Sequence, residues 1–133
     1  MLSWNKADRI QYSKHFSLQE FNCKCTNVSC VSQLLSTELL AKLERVRILY
    51  GLPIKVTSGY RCQAHQKYLA ASGLETATNS QHCLGNAADI TGPDLVKLDL
   101  LCSQEFKAVG RAKSFIHVDL REDKTRRWGY LKS

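Results

Sequence analysis

Ser80-Gln81-His82-Cys83-Leu84-Gly85-Asn86-Ala87-Ala88-Asp89 sets an imidazole and a carboxylate seven residues apart in an otherwise small or apolar run. It is answered near the C-terminus by Ser114-Phe115-Ile116-His117-Val118-Asp119-Leu120, which reads as a β-strand with His117 and Asp119 on one face. Gly85, Ala87 and Ala88 leave room for a close turn and a tightly packed strand start. Two histidines and one carboxylate suit zinc and fall one ligand short of a tetrahedron. That leaves a position for water, as in a catalytic site.

Ile54-Lys55-Val56-Thr57-Ser58 alternates as a strand and delivers Gly59-Tyr60-Arg61 at its end. Upstream lies Phe16-Ser17-Leu18-Gln19-Glu20-Phe21, in which residues 17–20 have capping-box spacing and predict a short helix with Phe16 and Phe21 turned to the core. The pattern Ser-x-His-x-x-Gly-x-Ala-x-Asp, the His-x-Asp strand, Ser58-Gly59-Tyr60-Arg61 and the Phe16–Phe21 segment together resemble the zinc D-alanyl-D-alanine carboxypeptidase family. That family comprises peptidoglycan metallopeptidases, including phage endolysins, and distantly shares a fold with hedgehog signalling domains. The resemblance runs over residues 16–128.

The resemblance implies that His82, Asp89 and His117 are the ligands of one catalytic zinc ion. It implies that Arg61 holds a carboxylate or carbonyl oxygen of the substrate, a task suited to a planar, permanently charged guanidinium. Relatives commonly carry a Glu or Asp three residues before the last ligand, where this chain has Ser114. Asp119 is the available substitute as general base; its other reading is a hydrogen-bond acceptor that orients a ligand histidine. Ser80 is a hydrogen-bonding partner in the metal loop and a candidate substrate contact. The implied activity is hydrolysis of stem peptides or cross-links in peptidoglycan, as a carboxypeptidase or an endopeptidase. The alternative is a zinc-stabilised peptidoglycan-binding module of the same fold that has lost catalysis.

The expected fold is α+β in a single domain: an antiparallel sheet carrying the zinc ligands, with helices packed against it. Residues 1–15 read as a polar, loosely packed N-terminal arm and residues 16–133 as the peptidase domain. Ser36 caps the clearest helix, whose Leu39, Leu43, Val46 and Tyr50 recur on one face until Gly51 and Pro53 stop it. Another helix runs over residues 63–71, where His65 is a structural face residue, and Gly73 stops it. Residues 74–80 form a polar loop at the rim of the cleft. Gly92-Pro93 opens a helix with Leu95, Leu98, Leu101 and Cys102 on its apolar side, and Gly110 marks the end of that region.

The chain has 133 residues, 44% of them hydrophobic, which is one domain's worth with a real core. Its 19 Lys and Arg against 12 Asp and Glu give a net charge of +7. That balance suits a solvated basic face or attraction to an anionic cell envelope. Nucleic acid is the less favoured polyanion, because no recognised binding module accompanies the charge. Residues 121–132 hold five basic residues with Trp128 and Tyr130 interleaved, either a tail whose Trp packs back on the domain or a docking edge. The N-terminal residues show no apolar core of a secretory signal, and no apolar run approaches the ~20 residues of a membrane helix. The expectation is a monomer made in a cytoplasm that meets cell wall only after release.

Six cysteines fit this picture poorly. Cys23, Cys25 and Cys30 form the densest group, readable as disulfide partners, as packing, or as a second metal site with Cys62 or Cys102 as fourth ligand. Cys83, beside His82, is a rival soft ligand whose oxidation would disturb the site.

Overall fold

The computed structural model describes residues 1–71 and 80–129. Strand β1 (Leu2–Asn5) pairs antiparallel with β2 (Ser32–Leu35), Leu2 lying opposite Leu35 and Trp4 opposite Gln33. Residues 1–15 are therefore not a loose arm. Trp4 is buried in the core, and its indole N–H donates to Asn22 Oδ1 at 2.7 Å. A four-residue strand with a single buried side chain lacks the periodicity by which a strand is recognised.

Between these strands, Leu18–Phe21 form one 3₁₀ turn, with the Glu20 carboxylate accepting the Ser17 N–H at 2.7 Å and its hydroxyl at 3.0 Å. Phe16 and Phe21 are fully buried, as their spacing predicts. Helix α1 (Thr37–Tyr50) starts where Ser36 Oγ accepts the Glu38 N–H at 3.2 Å and ends at Gly51. Its buried face is Leu39, Leu40, Leu43, Val46 and Tyr50.

Residues 13–15 are tied to α1 through Glu44. Its Oε1 accepts the Ser13 hydroxyl at 2.7 Å and the His15 N–H at 2.9 Å, while Oε2 meets His15 Nδ1. Burial opposes ionisation of Glu44, but the His15 and Ser13 hydrogen bonds outweigh it and lower its pKa. A depressed carboxyl pKa contributes stability above the unfolded value, about 4.3 for Glu, and loses it as pH falls through the folded value. Glu44→Gln is accordingly expected to cost about 1–2 kcal/mol at neutral pH, with the deficit shrinking below about pH 4. Urea unfolding at neutral and acidic pH checks both.

The chain continues through β3 (Lys55–Ser58), α2 (Gln63–Ala71), β4 (Ala87–Thr91), α3 (Leu95–Glu105), β5 (Ala108–Arg111), β6 (Ile116–Asp119) and β7 (Arg126–Trp128). Among the described residues the larger sheet has the order β3-β4-β6-β5-β7. Its pairings are antiparallel except β5 with β7, which is parallel. Gly110 does not close the helical region but lies inside β5, while Trp128 packs back on the domain in an edge strand, the first of its two readings.

Because side chains alternate across a strand, one sheet face carries Val56, Ala88, Ile90, Val109, Ile116 and Val118 into the same hydrophobic core as α1 and α3. The opposite face carries Ser58, Asp89 and His117 in register. The two faces divide the labour between stability and chemistry. The expected rim loop at residues 74–79 and Gly73 lie outside the described residues, as do Tyr130 and Lys132. Among the described residues no helix is long and apolar enough to cross a membrane.

Candidate metal centre

Asp89 on β4 and His117 on β6 are directly opposed in the antiparallel register, so their side chains rise side by side from one face. His82 reaches them from a 3₁₀ turn, Gln81–Leu84, capped by Ser80, whose Oγ accepts the His82 N–H at 3.1 Å. Asp89 Oδ1 lies 2.9 Å from His117 Nδ1 and 3.3 Å from His82 Nε2. One ligand atom from each residue falls within 4.8 Å of the others, and all three residues are buried. Two imidazole nitrogens and a carboxylate oxygen facing one point form a donor set that could hold a divalent metal of zinc's type. Cys83 does not belong to that group.

The outward nitrogens are held as metal-binding imidazoles require. His82 Nδ1 sits 2.7 Å from the Gly59 carbonyl oxygen, which leaves Nε2 for the centre. His117 Nε2 sits 2.9 Å from Asp119 Oδ2, which leaves Nδ1. Asp119 in turn accepts the Arg121 N–H and Nε–H at 3.0 Å each and its Nη2–H at 2.8 Å. Asp119 thus lies against the nitrogen of His117 turned away from Asp89, braced by Arg121. Ala87 and Ala108, opposite Asp119 on the flanking strands, add no bulk beside it.

Burial opposes ionisation of both carboxyls, yet contacts with His117 and His82 hold Asp89 well below the usual carboxylate range. Those with His117 and Arg121 do the same for Asp119. Burial lowers the His82 pKa. It also opposes charge on His117, but there the hydrogen bonds to Asp119 and Asp89 prevail and raise the pKa.

Arg61 follows β3, and its guanidinium is fixed at three points. Nε donates to Ser58 Oγ at 3.0 Å, Nη1 to Gln66 Oε1 at 3.3 Å and Nη2 to Asp89 Oδ2 at 3.2 Å. Gln66 is fully buried on α2. The arginine therefore stands beside the centre, tied to Asp89. Ser114, by contrast, is exposed, and its carbonyl oxygen accepts the Thr91 hydroxyl at 2.7 Å.

Gly59, Ser58 and Trp128, to which the sequence assigns no site role, complete the site together with Gln66 and Arg121. Arg121 could have been found by extending the same-face alternation of His117 and Asp119 one step. Trp128 could not. Gly110 lies between His117 and Trp128 in the register of β6, β5 and β7. With no side chain in the middle position, the two rings approach to 5.4 Å between centroids. Arg121 lies over the same indole at 5.7 Å.

The α+β fold thus carries a buried donor set suited to one divalent metal ion. The chain belongs to the Peptidase M15 family, whose match spans residues 14–119. Among solved structures, the L-Ala D-Glu endopeptidase ChiX of Serratia marcescens is similar at 18% identity, over 65% of this chain and 80% of that chain, with a TM-score of 0.49. No curated protein compared with the chain matches it.

Proposed function

We propose that the chain is a zinc-dependent peptidase that hydrolyses peptide bonds in bacterial peptidoglycan. The observation that carries this is the convergence of His82 Nε2, Asp89 Oδ1 and His117 Nδ1 beside the Arg61 guanidinium in an M15 chain. A zinc ion on those three atoms would supply a Lewis acid and a water acidified toward neutral pH. Arg61, oriented by Ser58, Gln66 and Asp89, is placed to receive a substrate carboxylate or the oxyanion of a tetrahedral intermediate. Ser80 caps the turn that presents His82. Of its two readings, Asp119 fits the positioning role: it fixes the His117 tautomer from the far side of the ring and is itself neutralised by Arg121. The net charge of +7 favours approach to an anionic wall, where the protein would act after leaving the cell that makes it.

Mass spectrometry of peptidoglycan incubated with the zinc-loaded protein tests the reading. New fragments are expected with the wild type and none with His82→Ala, and the fragment termini identify the bond as a carboxypeptidase or an endopeptidase cut. Asp119→Asn is expected to retain cleavage with zinc affinity lowered 10–100-fold, as for other partners of ligand histidines. Stoichiometric zinc with no fragments would favour the binding module, with Ser114 in place of the acid as the reason.

A further inference from the structure

Four cysteines far apart in sequence meet at a second place. Cys23 and Cys25 follow the 3₁₀ turn on alternate residues, Cys30 precedes β2, and Cys62 lies just ahead of α2. Their sulfurs all lie within 4.8 Å of one another. Cys62 Sγ is 3.7 Å from Cys23 Sγ and 3.8 Å from Cys25 Sγ. Thiolates bound at about 2.3 Å on a tetrahedral zinc ion sit about 3.8 Å apart. A disulfide would close that separation to about 2.05 Å.

Two further observations point the same way. First, each sulfur has an N–H donor aimed at it: the Cys62 N–H at Cys23, the His65 N–H at Cys62, Gln33 Nε2 at Cys30 and Lys6 Nζ at Cys25, at 3.4, 3.4, 3.5 and 3.7 Å. Gln33 is fully buried, and its Oε1 accepts the Cys23 N–H at 2.6 Å, so one side chain braces two of the four. Donors converging on sulfur, with a lysine among them, suit thiolates better than thiols. Second, residues 24–32 include no buried side chain, although the chain there follows a defined path between the 3₁₀ turn and β2. A hydrophobic anchor is missing from that loop, and a metal would take its place.

We propose that Cys23, Cys25, Cys30 and Cys62 hold a structural zinc ion, separate from the His82–Asp89–His117 centre. Binding releases four thiol protons and leaves a closed tetrathiolate with no position for water. Soft thiolates in a tetrahedron select zinc over hard cations. The ion fastens the loop of residues 22–31 to Cys62, the residue after Arg61. The same junction is held by the Tyr60 N–H on the Phe21 carbonyl oxygen at 2.8 Å. Cys83 and Cys102 stay outside the cluster, Cys102 buried in the core.

The test is metal analysis and cobalt substitution of the full chain purified under reducing conditions. Wild type is expected to bind two zinc ions per chain, and Cys25→Ser and His82→Ala one each. With cobalt, intense sulfur-to-metal charge-transfer bands should appear in the wild type, persist in His82→Ala and disappear in Cys25→Ser. Because Cys25→Ser could fail to fold, the thiols of wild-type protein purified without any reductant are also titrated in denaturant with chelator. All six cysteines should react. Two reactive thiols, which would mean two disulfides, would overturn the proposal. So would a single zinc per wild-type chain, cobalt spectra without sulfur bands, or a coloured iron centre in the freshly purified protein.

Discussion

Asp89→Asn is expected to remove the metal from the histidine centre, to abolish peptide hydrolysis and to destabilise even the metal-free protein. The substitution keeps the size of the side chain and removes its charge. Asp89 is 4% exposed and serves three partners, with Oδ1 between the two histidines and Oδ2 on Arg61. An asparagine would either turn its N–H toward the guanidinium or offer it a neutral oxygen, and in both cases would leave Arg61 without its carboxylate. Breaking a buried pair from one side costs about 3–5 kcal/mol, because the remaining charge stays desolvated.

The effect has a pH signature. The folded-state pKa of Asp89 is depressed, so its contribution is complete above the unfolded Asp value of about 3.9 and is lost as pH falls below it. Urea unfolding of both proteins in chelator should show the full gap at neutral pH and a narrowing gap as pH drops through about 4. Equal stability at neutral pH, or zinc retained by the variant, would contradict the assignment of Asp89 as a charged ligand.

The grouping of His82, Asp89 and His117 was legible in the sequence because its members are side chains in short segments with fixed spacing. Alternation in residues 114–120 put His117 and Asp119 on one face, and β6 carries them there. Ser36, the Leu39-Leu43-Val46-Tyr50 stripe and Gly51 gave α1 for similarly local reasons. What stayed hidden depends on groups without a sequence signature. His82 is oriented by a backbone carbonyl, which every residue possesses. β5 and β7 are four and three residues long, too short for periodicity to separate them from loop. The parallel pairing of β7 is set by tertiary contact, and only that pairing reveals why Gly110 faces His117 and Trp128. The sequence left the fourth cysteine open between Cys62 and Cys102. The fold separates them, bringing Cys62 to the loop and sending Cys102 into the core on α3.

Gly59→Ala should damage both stability and metal binding, although the residue is neither a candidate ligand nor charged. A Cβ at this position would stand 2.6 Å from Phe21 Cα, 2.7 Å from its Cβ and 2.7 Å from its carbonyl oxygen. The obstruction is largely backbone, so no flexible side-chain end can swing aside. Phe21 cannot retreat either, being fully buried with its ring 6.0 Å from that of Phe16. The loop of residues 59–61 must move instead, and it carries three connections with it. The Gly59 carbonyl would leave His82 Nδ1, the Arg61 N–H would leave the His82 carbonyl oxygen at 3.2 Å, and the guanidinium would shift from Asp89.

Overpacking a core contact costs about 1–3 kcal/mol, and a backbone obstruction belongs at the upper end of that range. Loss of the histidine's partner should lower zinc affinity a further 10–100-fold. Gly51→Ala is the control. Its φ of +71° strains alanine, but nothing lies within 4 Å of the added methyl. That variant should lose about 1–2 kcal/mol with its zinc affinity unchanged. Urea unfolding and zinc titration of the two variants therefore separate strain at a helix end from displacement of the metal loop. If Gly59→Ala behaves like Gly51→Ala in both, the close approach of Gly59 to Phe21 does not position the site.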